Sequence, residues 1–128
     1  MAIGDVHDRR MFTTDEIIFR EGEVGRRCAY LIESGKVEIS KKTEKGEQIV
    51  LGVIPAGGIF GEMGIVDPRP HSATIFAVTN VDLYVINEQQ FLMLVSKTPL
   101  FALRVMRILA RRIRAMNLRL TEADRVMA

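Results

Sequence analysis

A chain of 128 residues and 14.4 kDa is long enough for one hydrophobic core and short for two. Its 48% hydrophobic and 27% charged residues exclude a disordered chain, and a formal net charge of +2, despite a pI near 8.9, gives no reason to invoke nucleic acid or an acidic membrane as partner. One cysteine, Cys28, rules out an internal disulfide and favours a reducing, cytoplasmic setting; no apolar run approaches the roughly 20 residues of a membrane span, and the opening MAIGDVHDRR has no signal-peptide core.

In chain order, MFTT and EIIF are short apolar segments parted by Thr14-Asp15, and EGEVG reads as a glycine turn. In CAYLIESGKVEISKK, Cys28, Tyr30 and Ile32 alternate with Ala29, Leu31 and Glu33. After Ser34-Gly35, Val37 and Ile39 point inward while Lys36, Glu38 and Ser40 point out. Period two on both sides of a glycine predicts two half-buried strands joined tightly. IVLGVI is a further strand, bounded by the turns KTEKGEQ and PAGG. ATIFAV and VDLYVI read as an antiparallel pair across Thr79-Asn80. The aromatic residues Phe12, Phe19, Phe60 and Phe76 are expected in the core.

The period then lengthens. Asn87, with Gln90 at the capping-box position, opens one helix, and Thr98-Pro99 supplies an N-cap and first-turn proline for a second. Along that second helix Val105, Leu109, Ile113, Met116 and Leu120 recur in steps of four or three and form one apolar stripe. The fold class predicted is mainly β with C-terminal helices, a β-roll or jelly roll within a single domain over 1–128. The roll takes about 11–87, the helices about 88–120, and a frayed tail 121–128.

Chemistry is sparse. The only histidines are His7 and His71, so with one cysteine neither a zinc set nor a cupin-type metal site can be assembled. Ser72, His71 and Asp67 make a poor triad, because neighbours along a strand point to opposite faces. No catalytic residues, metal or cofactor are expected, and the chain reads as a non-enzyme. The stretch FGEMGIVDPRPHSATIFA instead suits binding. Gly61 and Gly64 permit close backbone approach, and Glu62 between them is a bidentate hydrogen-bond acceptor. One helical turn over 63–66 would gather backbone N–H groups toward an anion, and Asp67-Pro68-Arg69-Pro70 redirects the chain to Ser72, Ala73 and Thr74. Donors, one acid and a hydroxyl fit a phosphate beside a sugar hydroxyl; the same residues also serve an ordinary strand-to-strand link.

IFREGEVGRRCAYLIESGKVEI followed by GGIFGEMGIVDPRPHSAT resembles the cyclic-nucleotide-binding domain shared by bacterial cyclic-AMP receptor proteins, protein kinase A regulatory subunits and nucleotide-gated channels. The resemblance runs from about Phe12 to Asn117, with glycines 22, 25, 35, 46, 58 and 61 where that family turns. It implies a roll of about eight strands, a phosphate-binding cassette with a short helix, and a two-helix C-terminal lid. It also implies that Glu62 accepts the ribose 2′-hydroxyl, that backbone amides of Gly61, Met63 and Gly64 line the sugar-phosphate pocket, and that Ser72 and the Ala73 amide contact the cyclic phosphate. Ser72 stands where a threonine in relatives often accompanies cyclic GMP, which leans the ligand toward cyclic AMP.

One position departs from that pattern. Nine residues after the glutamate the family carries an arginine that pairs with phosphate oxygens; here it is His71. Arginine is always charged and presents a planar fork, whereas histidine is mostly neutral at pH 7 until an anion stabilises its proton. Three outcomes stand open: His71 serves once protonated, Arg69 swings in across the stiff Pro70, or the pocket has lost its nucleotide. In the last case the fold acts as an interaction or dimerisation module. Its best surface is the arginine-rich last helix, through which relatives dimerise or close over the base. No DNA-reading helix pair follows Leu120, so an output partner is expected from elsewhere.

Overall fold

The computed structural model describes residues 6–66 and 69–127, the side chains of 116–127 excepted. Eight strands are laid down as β1 (Arg9–Phe12), β2 (Ile17–Phe19), β3 (Cys28–Ser34), β4 (Val37–Lys42), β5 (Gln48–Ile54), β6 (Ile59–Phe60), β7 (Thr74–Ala77) and β8 (Val81–Asn87). A one-turn helix α1 (Met63–Val66) sits between β6 and β7, and α2 (Glu88–Lys97) and α3 (Pro99–Met127) follow β8. The strands form two antiparallel sheets, ordered β1-β8-β3-β6 and β2-β7-β4-β5. This is the mainly β roll with C-terminal helices that the alternation predicts. The chain forms two compact units that divide between Phe91 and Leu92.

The expected pairing of β7 with β8 is not what forms. β7 pairs with β2 and β4, while β8 pairs with β1 and β3. The short link at Thr79-Asn80 is a corner between sheets rather than a hairpin, and so is the link at Gly35 between β3 and β4. The two corners knit together: the Lys36 amide donates to Thr79 Oγ1 (3.2 Å) and the Val78 amide to the Lys36 carbonyl (3.0 Å). Gly35, at φ +87, has the Asn80 carbonyl oxygen 2.2 Å from where a Cβ would stand, so only glycine closes this corner.

Between the sheets lie Ile32, Val37, Phe60, Ile75, Ala77, Val81 and Leu83, with Phe12, Phe19, Tyr30, Ile39 and Ile54 packed against them. Side chains of this kind contribute about 1.5–3 kcal/mol each when fully buried. β3 is not the half-buried strand the alternation suggests. Ala29 and Leu31 are as buried as Ile32, so both of its faces are covered. Ser40, expected to face water, is also buried. A bulge at Ile39/Ser40 interrupts the β4–β5 register, and Ser40 Oγ accepts from Gln48 Nε2 at 2.6 Å. Phe76 alternates with the core residues Ile75 and Ala77 and faces the other way, half-buried, so it is not a core residue. β5 closes its sheet at an edge and leaves Ile49, Val50, Leu51 and Val53 exposed.

The capping box at the start of α2 forms as read: the Gln90 amide donates to Asn87 Oδ1 (2.8 Å), and the Asn87 amide to Gln90 Oε1 (3.0 Å). α3 begins at Pro99 and continues through 121–127, where a frayed tail is expected. TEADRVM contains no glycine or proline to stop it. Val105 is already buried (7% exposed) and Leu109 half-buried, whereas Leu103, Met106 and Ile113 are 40%, 61% and 58% exposed. The predicted stripe therefore splits, its upper part inward-facing and unavailable to a partner. The side chains of Met116 and Leu120 lie outside the described residues.

Candidate functional site

β6 delivers the cassette. Its Phe60 pairs with Tyr30 of β3, and the two rings stack with centroids 5.0 Å apart. The chain turns at Gly61, at φ +77, where an added Cβ would stand 2.9 Å from Tyr30 Cδ2. Left-handed backbone and a ring held on its far side by Phe60 together demand glycine. Gly61→Ala is expected to destabilise the fold by about 1–3 kcal/mol. Gly46→Ala, at a similar φ with nothing within 4 Å, should cost less. Urea unfolding of the two variants measures the difference, and equal losses would mean that the Tyr30 contact contributes nothing.

Immediately after that turn Glu62 is 1% exposed, and its Oε2 is out of contact with solvent. Its carbonyl starts the single turn of α1, accepting from the Ile65 (3.0 Å) and Val66 (3.2 Å) amides. The Gly64 amide donates to the Gly61 carbonyl (3.1 Å), which leaves the Gly61 and Met63 amides as the better candidates for a ligand. Met63 itself is exposed, and a Cβ added at Gly64 would stand 3.6 Å from the Arg26 carbonyl oxygen, an ordinary contact.

The returning arm enters β7 through His71, Ser72 and Ala73. Ser72 is exposed and Ala73 half-buried; Arg69 is exposed on the approach. His71 is tied by its backbone to the β2–β3 loop: its amide donates to the Glu23 carbonyl (2.9 Å), and its carbonyl accepts from the Gly22 amide (2.8 Å). Its ring lies flat on Phe19, centroids 3.7 Å apart and planes 10° off parallel. Burial holds the imidazole below the ordinary histidine range, against an opposing pull from Glu23.

The two arms thus meet one aromatic wall. Gly61 abuts Tyr30, His71 stacks on Phe19, and the Phe19 ring is within 6.2 Å of Tyr30 and 5.9 Å of Phe60. Sequence reasoning placed Phe19 merely in the core and gave Tyr30 and Gly25 no part in the site; the strand alternation that puts Tyr30 beside Ile32 is the signal that was available for Tyr30. Tyr30 is pushed well above the ordinary phenol range by burial, and Cys28 Sγ donates to its hydroxyl oxygen at 3.3 Å. Among the described residues no cluster of three or more His, Cys, Asp or Glu side chains could hold a metal ion, and no helix is long and apolar enough to cross a membrane. A separate groove of about 730 Å³ runs over the outward face of the second sheet, beside Ser40, Gln48, Thr74 and Phe76; none of the described residues among 61–73 lines it.

The two-sheet roll thus carries, at one glycine corner, a buried carboxylate, a one-turn helix and a return arm through His71, Ser72 and Ala73. Residues 9–98 match the family described as the cyclic nucleotide-binding domain, and the chain belongs to that family. Among its relatives is the cyclic AMP receptor protein of Thermus thermophilus, 33% identical over 112 residues, covering 88% of this chain and 51% of the relative. The crystal structure of the Thermus thermophilus catabolite activator protein superposes with a TM-score of 0.79 at 33% identity, over 88% of this chain and 53% of that one. The cAMP-bound form of the EAL enzyme Bd1971 superposes at 0.64 with 37% identity, over 84% and 29%. The chain spans about half the length of the cyclic AMP receptor protein it matches.

Proposed function

We propose that this chain is a cytoplasmic sensing module that binds a cyclic nucleotide, cyclic AMP in preference to cyclic GMP, and passes the event on through its C-terminal helices. The observation that carries the reading is Glu62. It is buried at the corner where the chain turns into α1, and a carboxylate there is an acceptor that the hydroxyls of a sugar presented to that corner can engage. Gly61, Glu62 and Met63 would hold the sugar and phosphate from one side, His71, Ser72 and the Ala73 amide from the other, with Gly64 shaping the turn and Arg69 in reserve. The preference for cyclic AMP rests on Ser72. Bd1971 has been crystallised with cGMP as well as with cAMP, so the fold alone does not choose between them. Titration calorimetry with both nucleotides tests the reading. Binding of neither at millimolar concentration removes it.

A second reading, a roll that has lost its nucleotide and serves as an interaction module, is favoured by one feature: His71 is stacked on Phe19 rather than replaced by the fork of an arginine. Both readings share a homodimer through α3. The exposed residues Leu103, Met106, Ala110 and Ile113 are spaced three, four and three apart, and the sequence extends the spacing to Asn117 and Leu120, the seven-residue seam of a two-stranded coil. The double variant Met106→Glu, Ile113→Glu is expected to sediment as a monomer across a concentration series in which the parent sediments as a dimer. A monomeric parent overturns the dimer.

A further inference from the structure

This inference rests on the nucleotide reading above and concerns how His71 takes part in it. The ring occupies a slot. Phe19 covers one face, and Gly25 lies so close to the ring that an added Cβ would stand 2.2 Å from Nε2 and 2.5 Å from Cε1. The His71 backbone is fixed to Gly22 and Glu23 by two hydrogen bonds, so the side chain alone is left to respond to a ligand. Among the described residues, the charged groups on the surrounding elements are Arg20, Glu21, Glu23, Arg26 and Arg27 on the β2–β3 stretch and Glu62 and Arg69 on the cassette; the field of Glu23 is the one felt at the ring, where it favours the charged form. Desolvation favours the neutral form and outweighs it.

We infer that His71 takes a proton from solvent when a phosphate-bearing ligand docks, and that Phe19 and Gly25 are positioning residues whose slot sets how readily it does so. The only bond formed is N–H, at an imidazole nitrogen. The ligand's negative charge then holds the imidazolium, in place of the permanent charge of an arginine. Affinity accordingly rises as pH falls, by up to about tenfold per pH unit above the ring's own titration range, and flattens once the free ring is charged. Gly25 is the residue that lets the ring lie where it does. Its φ is outside the left-handed region, so alanine there meets the His71 ring and not a backbone barrier, and the ring must leave its place in the slot.

The test is calorimetry of cyclic AMP binding at about pH 6.5, where an ordinary histidine is half charged, in two buffers of different ionisation heat; the difference gives the protons taken up. The parent is expected to take up more than half a proton per ligand, and Gly25→Ala less than the parent. His71→Arg is expected to bind with none. In the free protein, the His71 ring signals should titrate below the ordinary histidine midpoint in the parent and move up toward it in Gly25→Ala. Binding without proton uptake in the parent, or a His71 midpoint unmoved in Gly25→Ala, overturns the inference and leaves the nucleotide reading standing. Failure of both the parent and His71→Arg to bind overturns the nucleotide reading itself, and the inference with it.

Discussion

His71→Arg tightens cyclic AMP binding by at least an order of magnitude. The expectation follows from the difference between the two cations. An arginine brings a permanent charge and two parallel donors to a phosphate, while the imidazole must first be charged and then offers one donor in a given direction. A bidentate ion pair in a partly buried pocket is worth roughly 2–4 kcal/mol, about 30- to 1000-fold in affinity. Against this stands the loss of the His71–Phe19 stack, about 0.5–1.5 kcal/mol of fold stability, part of which a guanidinium lying on the same ring restores. Binding should therefore gain much more than the fold loses. Calorimetry and thermal unfolding of the one variant report both quantities. Unchanged affinity in a folded variant would mean that position 71 does not meet the phosphate.

Glu62→Gln weakens binding far more than it alters stability. The amide keeps the side-chain volume but replaces a charged acceptor with a neutral one. A hydrogen bond to a charged group contributes about 1.5–3 kcal/mol, so cyclic AMP binding should weaken by about one to two orders of magnitude. The folded state, meanwhile, keeps a side chain of the same volume in that buried position, and its melting temperature should change little. That contrast marks a residue kept for its ligand rather than for the fold. A variant that melts lower and binds as well as the parent would assign Glu62 to structure instead.

Much of this was legible in the chain itself. Alternation around Gly35 and the change of period at Asn87 locate the roll and the helices, and the capping pair Asn87 and Gln90 forms as its spacing implies. FGEM likewise marks the corner at which Gly61 turns the chain, leaving Glu62 buried. What stayed hidden depends on partners distant in sequence. A two-residue link such as Thr79-Asn80 looks the same whether it closes a hairpin or rounds a corner; the choice is made by Gly35 packing against Asn80, 45 residues back along the chain. Ser40 reads as exposed, because the cover that Gln48 of the neighbouring strand gives it cannot be seen in a period-two pattern. The α3 stripe was drawn through Val105 because helical spacing shows that a stripe exists without showing which part of it the chain covers itself. The slot around His71 combines residues 19, 25 and 71, and no local pattern joins them.

The apolar edge strand β5 has a practical corollary. Ile49, Val50, Leu51 and Val53 lie along a border of the sheet, the kind of rim on which extended chains add and precipitates grow. The adjoining hairpin carries Lys41, Lys42 and Lys45, whose mutual repulsion between molecules guards that rim at no expense to the fold. Neutralising those ammonium groups would scarcely alter the melting curve, yet it would lower the concentration at which the protein stays clear in the flask.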